Sequence, residues 1–234
     1  MRFRSFRRWV LLVGAALAGL GATGCGGPEV GDIVGNEVLL TVTGVASAPE
    51  VAAIGEAQQG LGVTRMYVST SALSLMPCRD GADDVTLGAR GYDLLSERAP
   101  SERVTTAVYD LCNLRVDIDP VSQSAADGVP AGASLYVEGK DAAGEPFALS
   151  SERSVSLLFP AESGASFGDQ PLLLGFDASV WLAGIPLTED LADAAQDLFD
   201  SQLVDSVALY VDSNGNQALD DDEQTPVARA ISSR

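Results

Sequence analysis

An acidic segment near the end of the chain, YVDSNGNQALDDDE over residues 210–223, carries the side chains that calcium ions prefer. Calcium in proteins is bound by about six to eight hard oxygen atoms from carboxylates, amides, backbone carbonyls and water. In one common calcium loop these ligands fall at positions 1, 3, 5, 7, 9 and 12, with a backbone carbonyl at position 7. The matching residues here are Asp212, Asn214, Asn216, Ala218, Asp220 and Glu223. The spacing predicts one Ca²⁺ as a structural cofactor.

This segment resembles the calcium loop of EF-hand proteins, but two features depart from that pattern. Position 6 holds Gln217, whereas the sharp turn there prefers glycine, and a positive φ at a non-glycine residue costs about 1–2 kcal/mol. The segment before the loop is strand-like, and Pro226 follows too soon for a long helix. The pattern therefore predicts a calcium clip between two strands. The alternative is an Asn-Gly turn between strands, with solvated acidic side chains.

Catalytic chemistry is not favoured by the other residues. The chain has no histidine, which excludes Ser-His-Asp and Cys-His arrangements and imidazole metal ligands. Paired carboxylates could hydrolyse glycosides, but the acidic candidates lie in turns or at strand ends, namely Asp83, Asp84, Asp117 and Asp119. We expect a non-catalytic binding or structural module. The alternatives are a carbohydrate-binding or adhesin-like surface module and, less favoured, a carboxylate-based glycoside hydrolase.

The start of the chain has the pattern of an export signal. Four arginines precede an apolar stretch that is shorter than the roughly 20 residues needed to span a bilayer. The segment Ala22-Thr-Gly-Cys25 then resembles the lipobox of bacterial lipoproteins, in which the cysteine is acylated. This resemblance implies a signal peptide over residues 1–24, a lipid on Cys25 and export to the cell envelope. Because Gly26 follows the cysteine, the resemblance also implies that the protein is sorted to the outer membrane. The alternative is an ordinary secretory signal with an incidental cysteine.

The charge is strongly negative once the signal is set aside. Residues 1–24 contain four of the 14 basic residues and none of the 33 acidic ones. Ten basic against 33 acidic residues leave a formal charge of −23 on the remainder. Such a surface repels nucleic acid and anionic headgroups and favours cations. We therefore expect no nucleic-acid partner, and the membrane contact is expected through the lipid; the sequence names no protein or glycan partner.

The two remaining cysteines are predicted to form a disulfide. If Cys25 carries lipid, Cys78 and Cys112 are left as one pair in an oxidising compartment. Alternation along Val104–Ile118 places Cys112 on the inward face with Leu114, Val116 and Ile118. The alternative is two unrelated buried thiols.

The body of the chain predicts a mainly β fold, an antiparallel β-sandwich with one short amphipathic helix near residues 189–202. A Gly-rich tether over residues 25–36 precedes a single domain over residues 37–234. The hairpin around Asp141-Ala-Ala-Gly144 is the clearest turn signal, and Thr188 is the predicted helix N-cap. The predicted strands are Val38–Gly44, Val63–Met76, Val85–Leu87, Tyr92–Leu95, Val104–Ile118, Ser134–Lys140, Pro146–Ser150, Ser154–Phe159, Leu172–Leu182 and Asp205–Val211.

Short stretches along the body are similar to a class of uncharacterised bacterial lipoproteins with an Ig- or transthyretin-like sandwich. With the acidic loop, they are Gly91-Tyr-Asp-Leu-Leu95, Tyr109-Asp-Leu-Cys-Asn-Leu-Arg115, Ser134-Leu-Tyr-Val-Glu-Gly139 and Gly175-Phe-Asp-Ala-Ser-Val-Trp-Leu182. The resemblance implies a fold and an envelope location, and it implies no activity.

Overall fold

The chain forms two β-sheets that pack face to face. The computed structural model describes residues 36–45, 62–96, 99–106, 110–120, 127–141, 143–161, 166–168, 170–187 and 193–232. The strands are β1 Asn36–Val45, β2 Gly62–Pro77, β3 Val85–Leu87, β4 Arg90–Asp93, β5 Ser101–Thr106, β6 Leu111–Ile118, β7 Leu135–Lys140, β8 Pro146–Ser151, β9 Val155–Pro160, β10 Leu172–Asp177, β11 Val207–Val211, β12 Ala228–Arg229 and β13 Ile231–Ser232. The helices are α1 Ala178–Trp181 and α2 Asp193–Ser206.

One sheet has five strands in the order β12-β11-β10-β1-β5. The other has eight, with the path β13-β9-β6-β2-β7-β8 and with β3 and β4 also paired to β2. The β1–β10 pair is parallel, and the other pairs between described strands are antiparallel. The predicted mainly β, antiparallel sandwich is confirmed.

The core lies between the two sheets and is one continuous apolar cluster. Its members from the five-stranded sheet include Leu40, Leu174 and Leu209, and those from the eight-stranded sheet include Val116 and Phe159. Each is fully buried. Burying one such side chain contributes about 1.5–3 kcal/mol, so the shared core is the main force that joins the sheets.

The long strand β2 changes its inward face part-way along. Met66 and Val68 are buried in its first half, but Leu73 and Leu75 are buried in its second half. The register against β6 shifts between Thr70 and Ala72. An extra residue at such a bulge moves the following side chains to the opposite face. Within the predicted strand Val63–Met76, the inward side chains therefore fall at even positions before the bulge and at odd positions after it.

The predicted strand Val104–Ile118 is two strands in different sheets. Strand β5 pairs with β1, whereas β6 pairs with β2 and β9. Residues 107–109 between them lie outside the described part of the chain. An apolar, β-branched run does not reveal which sheet each half joins, because that choice depends on distant partners.

The predicted disulfide is present between Cys78 and Cys112, with Cα atoms 4.7 Å apart. The prediction that Cys112 points into the core is wrong, because Cys112 is partly exposed and Leu111 is fully buried. A register shift between Met76 and Pro77 displaces the alternation at this end of β6. The disulfide therefore joins the ends of two paired strands beside the core.

Strand β10 ends earlier than predicted. The run Leu172–Leu182 is mostly apolar, but the strand stops at Asp177 and α1 begins. One carboxylate oxygen of Asp177 accepts hydrogen bonds from the backbone N–H groups of Ser179 and Val180. This N-cap satisfies groups that the first turn leaves without partners, so it starts a helix inside an apolar run.

Helix α2 ends later than predicted. Its fully or nearly buried side chains Ala195, Phe199 and Leu203 recur every four residues, so the apolar stripe continues past Gln202 and the helix ends at Ser206. The predicted strand from Asp205 therefore begins only at Val207. The predicted N-cap Thr188 and the first residues of the predicted helix lie outside the described residues.

The predicted hairpin at Asp141 is confirmed. Strands β7 and β8 pair antiparallel, from Leu135 opposite Ser151 to Lys140 opposite Pro146. The Asp141 carboxylate accepts hydrogen bonds from two backbone N–H groups of the turn, and Gly144 has a φ of 84°. Glycine suits this left-handed conformation because it has no Cβ.

In the described part of the chain, neither helix is long and apolar enough to cross a membrane.

A candidate calcium site in the C-terminal loop

The acidic loop connects strand β11 to strand β12, as the strand–loop–strand prediction requires. At its start the Asp212 N–H donates to the Pro171 carbonyl at 3.0 Å, and at its end the Val227 N–H donates to the Leu209 carbonyl at 2.8 Å. Both ends are therefore fixed to the five-stranded sheet. The loop geometry is set by this sheet, and the paired helices of an EF-hand are not needed to hold it.

Asp212, at position 1, organises the first half of the loop. Its side chain is 1% exposed. Oδ1 accepts hydrogen bonds from the Gly215 N–H at 2.7 Å and the Asn216 N–H at 3.1 Å, and Oδ2 accepts from the Gln217 N–H at 2.9 Å. Three consecutive backbone donors thus converge on one carboxylate, and these hydrogen bonds close the turn.

Gln217 takes the left-handed conformation that the calcium pattern requires at position 6. Its φ is 65°, and it is the one non-glycine residue with positive φ among those described. The conformation costs about 1–2 kcal/mol at a residue with a Cβ. The hydrogen bond from its N–H to Asp212 offsets part of this cost. The sharp turn therefore forms here even though glycine is absent.

Glu223, at position 12, is held from the opposite side. It is 6% exposed, and its Oε1 accepts hydrogen bonds from the Ser213 N–H at 2.7 Å and the Ser213 hydroxyl at 2.6 Å. Its Oε2 accepts a longer one from the Asp220 N–H at 3.4 Å. The sequence prediction missed Ser213, because position 2 has no ligand role in the calcium pattern. Ser213 nevertheless ties position 12 back to position 2, next to Asp212.

The side chains of Asn214, Asn216 and Asp220 form a second group. The amide Nδ2 atoms of Asn214 and Asn216 donate to Asp220 Oδ2 at 2.6 Å and 2.8 Å. Their Oδ1 atoms accept from the backbone N–H groups of Asn216 and Ala218, at 2.9 Å and 2.8 Å. The amide oxygens thus shape local turns, and the amide nitrogens face the carboxylate.

The six predicted ligands therefore lie in one loop but do not converge on one point. Within the described residues, no group of three Asp, Glu or Cys side chains is arranged to hold a metal ion. Asp212 and Glu223 are joined through Ser213, while Asp220 is bound to the two asparagines. Calcium would require Asp220 and the two amides to turn, so that oxygen atoms face the same space as Asp212 and Glu223.

The chemistry of the donor set fits a hard cation. Asp212 and Glu223 are buried carboxylates, and no Arg or Lys in the described part of the chain forms an ion pair with either. An uncompensated buried charge is costly, and a divalent cation would compensate both. Asp212 Oδ2 accepts one hydrogen bond from described residues, from the Gln217 N–H, so it keeps a lone pair for a ligand.

Acid should weaken this loop through Glu223. Hydrogen bonds from Ser213, first from its hydroxyl, hold the pKa of Glu223 below the ordinary value of 4.5, although burial acts in the opposite direction. A carboxylate with a lowered pKa stabilises the fold above its ordinary pKa, and this contribution is lost as the pH falls through the folded-state pKa. We expect the free energy of unfolding to fall less between about pH 5 and pH 3 in Glu223→Gln than in the wild type. Urea unfolding across this range measures the difference, and equal slopes would contradict it.

The predicted lipidation site, Cys25, lies outside the described residues.

Similarity to known proteins does not decide the family, because no family model, curated protein or solved structure matches this chain. The resemblance to bacterial lipoproteins with an Ig- or transthyretin-like sandwich stays a prediction. The function of the loop is therefore inferred from its own geometry.

Proposed function

We propose that this chain is an exported, lipid-anchored, non-catalytic module of the bacterial cell envelope whose C-terminal loop is stabilised by one calcium ion. The observation that carries the calcium proposal is the pair of buried carboxylates at positions 1 and 12 without a basic partner among the described residues. The positive φ of Gln217 at position 6 supports it. With two neutral Asn ligands, the affinity is expected at the weak end, with a Kd of about 10⁻⁴–10⁻³ M.

The position of the loop explains why a calcium ion would stabilise the whole sandwich. After the loop, β12 pairs with β11 in the five-stranded sheet, and β13 then pairs with β9 in the eight-stranded sheet. The last residues of the chain thus cross from one sheet to the other. A cation that fixes the loop also fixes the start of this crossing segment. The role is a structural clip, because strands and not a movable helix pair flank the loop.

The envelope location is supported by the signal, the lipobox-like segment and the disulfide. Disulfides persist in oxidising compartments, which in bacteria lie outside the cytoplasm. The Cys78–Cys112 bond is consistent with export. The proposal of a non-catalytic role is supported by the chain having no histidine and by the buried acids being used as turn and loop organisers.

Calcium should raise the melting temperature of the purified protein. A ligand that binds the folded state stabilises it by RT ln(1 + [L]/Kd), which is about 1.4–2.7 kcal/mol at about 10 mM calcium and the affinity above. For a domain of this size, this corresponds to a rise of about 3–10 °C. Melting in calcium and in chelator, followed by circular dichroism, measures the shift.

Two variants separate a loop effect from a general effect of divalent ions. Asp212→Ala/Glu223→Ala should abolish the calcium shift. Asp83→Ala/Asp84→Ala removes two exposed acids from the β2–β3 turn and should leave the shift unchanged. An absent shift in the wild type, or an equal shift in all three proteins, would exclude the clip.

The lipid anchor is tested at Cys25. In a bacterial host, Cys25→Ala should abolish palmitate labelling and move the protein from the membrane fraction to the soluble fraction. The lipobox-like segment motivates this test, because acylation needs the cysteine thiol. Cys78→Ser/Cys112→Ser, which leaves Cys25 in place, is the matched control and should remain labelled. Labelling of Cys25→Ala would overturn the anchor.

A further inference from the structure

A polar cleft lies on the outer face of the five-stranded sheet, beside the acidic loop but separate from its predicted ligands. Its volume is about 280 Å³. Its walls come from α1, the end of α2, strands β11 and β12, and the loop, through Asp177, Asp205, Tyr210, Leu219, Gln224 and Arg229. The volume is just below the usual range of about 300–1,000 Å³ for small-molecule sites, which indicates a ligand with few heavy atoms.

The cleft carries charges of both signs. Asp177 is 9% exposed, and only its Oδ1 accepts hydrogen bonds from described residues. Its Oδ2 accepts none from described residues and is therefore available to a ligand. On β12, Arg229 is exposed and forms no ion pair with any described acid, although the chain is strongly acidic. Asp205, also exposed, adds a second carboxylate to the lining.

Tyr210 is the aromatic residue in the lining of this cleft. A Cβ at Gly175 would lie 3.0 Å from Tyr210 Cε2 and 2.8 Å from Val45 Cγ1, so the tyrosine ring lies over the glycine. The guanidinium of Arg229 and the carboxylate of Asp177 both act electrostatically on the Tyr210 hydroxyl, while burial raises its pKa most. The hydroxyl is thus placed within the field of a cation and an anion.

We propose that this cleft binds a small zwitterion of the amino-acid type, with its ammonium group at Asp177 and Asp205 and its carboxylate at Arg229. A simple anion is disfavoured because the protein's overall field is negative. A simple cation leaves Arg229 without a partner. A ligand with both charges compensates Asp177 and Arg229 together, and Tyr210 adds a hydroxyl that can donate or accept. The site does not depend on calcium in the neighbouring loop.

Probes that differ in charge and in charge separation test this site. We would titrate the purified full chain in detergent with glycine, β-alanine, 4-aminobutyrate and 6-aminohexanoate, each to about 10 mM, and follow ligand signals by saturation-transfer NMR. Propylamine and propionate are the single-charge comparisons. At least one zwitterion should bind saturably and about tenfold more tightly than either comparison. Each titration is run in calcium and in chelator, so that the loop and the cleft are judged separately.

Three variants locate the binding. Arg229→Met removes the cation. Asp177→Asn removes the anion but keeps an oxygen that can cap α1, because asparagine is also a good N-cap. Each should weaken zwitterion binding about tenfold, while Arg79→Met in the distant β2–β3 turn should leave it unchanged. Saturable binding that survives both cleft variants, or no saturable binding of any zwitterion, would overturn the proposal.

Discussion

Replacing Cys78 and Cys112 together by serine should lower the free energy of unfolding by about 3–4 kcal/mol in the chain-entropy model. The two cysteines are 34 residues apart in sequence, so the bond restricts a long loop of the unfolded chain. Strands β2 and β6 remain paired without it, since Pro77 lies opposite Leu111 in the ladder and the Cys78 N–H donates to the Asp110 carbonyl. The loss should therefore appear as reduced stability with the fold retained.

Urea unfolding with and without reductant measures this effect. Reduction of the wild type should reproduce the stability of the double serine variant, and reductant should not change the variant. A loss below about 1 kcal/mol would show that the unfolded chain is already restricted without the bond.

Trp181→Ala should lower the free energy of unfolding by about 3–5 kcal/mol. Trp181 is fully buried. Its ring stacks on Phe199 with centroids 5.0 Å apart, and its Nε1–H donates to the Phe199 carbonyl at 2.9 Å. The substitution leaves a cavity between α1 and α2 and a buried carbonyl without its donor.

The neighbouring residue provides the control. Val180 lies on the same short helix but is 38% exposed, so Val180→Ala should change stability by no more than about 0.5 kcal/mol. Trp181→Phe keeps an aromatic ring and removes the N–H donor, and its loss should fall between the other two. Equal losses for Trp181→Ala and Val180→Ala would contradict the packing described here.

Local patterns predicted the parts of the fold that depend on neighbouring residues. The Asp141 hairpin follows from side-chain and glycine chemistry within five residues, and the structure has it. The bulge in β2 could not be predicted, because the residues around Ala72 continue an alternation that only the partner strand interrupts. The parallel β1–β10 pair joins two segments that are far apart in the sequence, and no local pattern in either segment predicts that they pair.

For the acidic loop too, the local sequence predicted some features and could not predict those that depend on contacts made in the folded chain. Spacing alone identified the oxygen-bearing residues, and the strands that flank the loop are present. Spacing did not identify Ser213 as the donor that holds Glu223, nor the direction of the Asn214 and Asn216 amides. Both features depend on hydrogen bonds that form only when the two ends of the loop come together in the folded protein. The short helix α1 was missed because Asp177 caps it within a run of apolar residues.

Calorimetric titration of the purified protein with calcium tests the central proposal most directly. We expect one site per chain with a Kd of about 10⁻⁴–10⁻³ M. Glu223→Gln, which removes the charge at position 12 while keeping the shape of the side chain, should abolish binding. Gln217→Gly, which relieves the positive φ, should retain or tighten it. Absence of binding in the wild type at about 10 mM calcium, or unchanged binding in Glu223→Gln, would contradict the calcium clip.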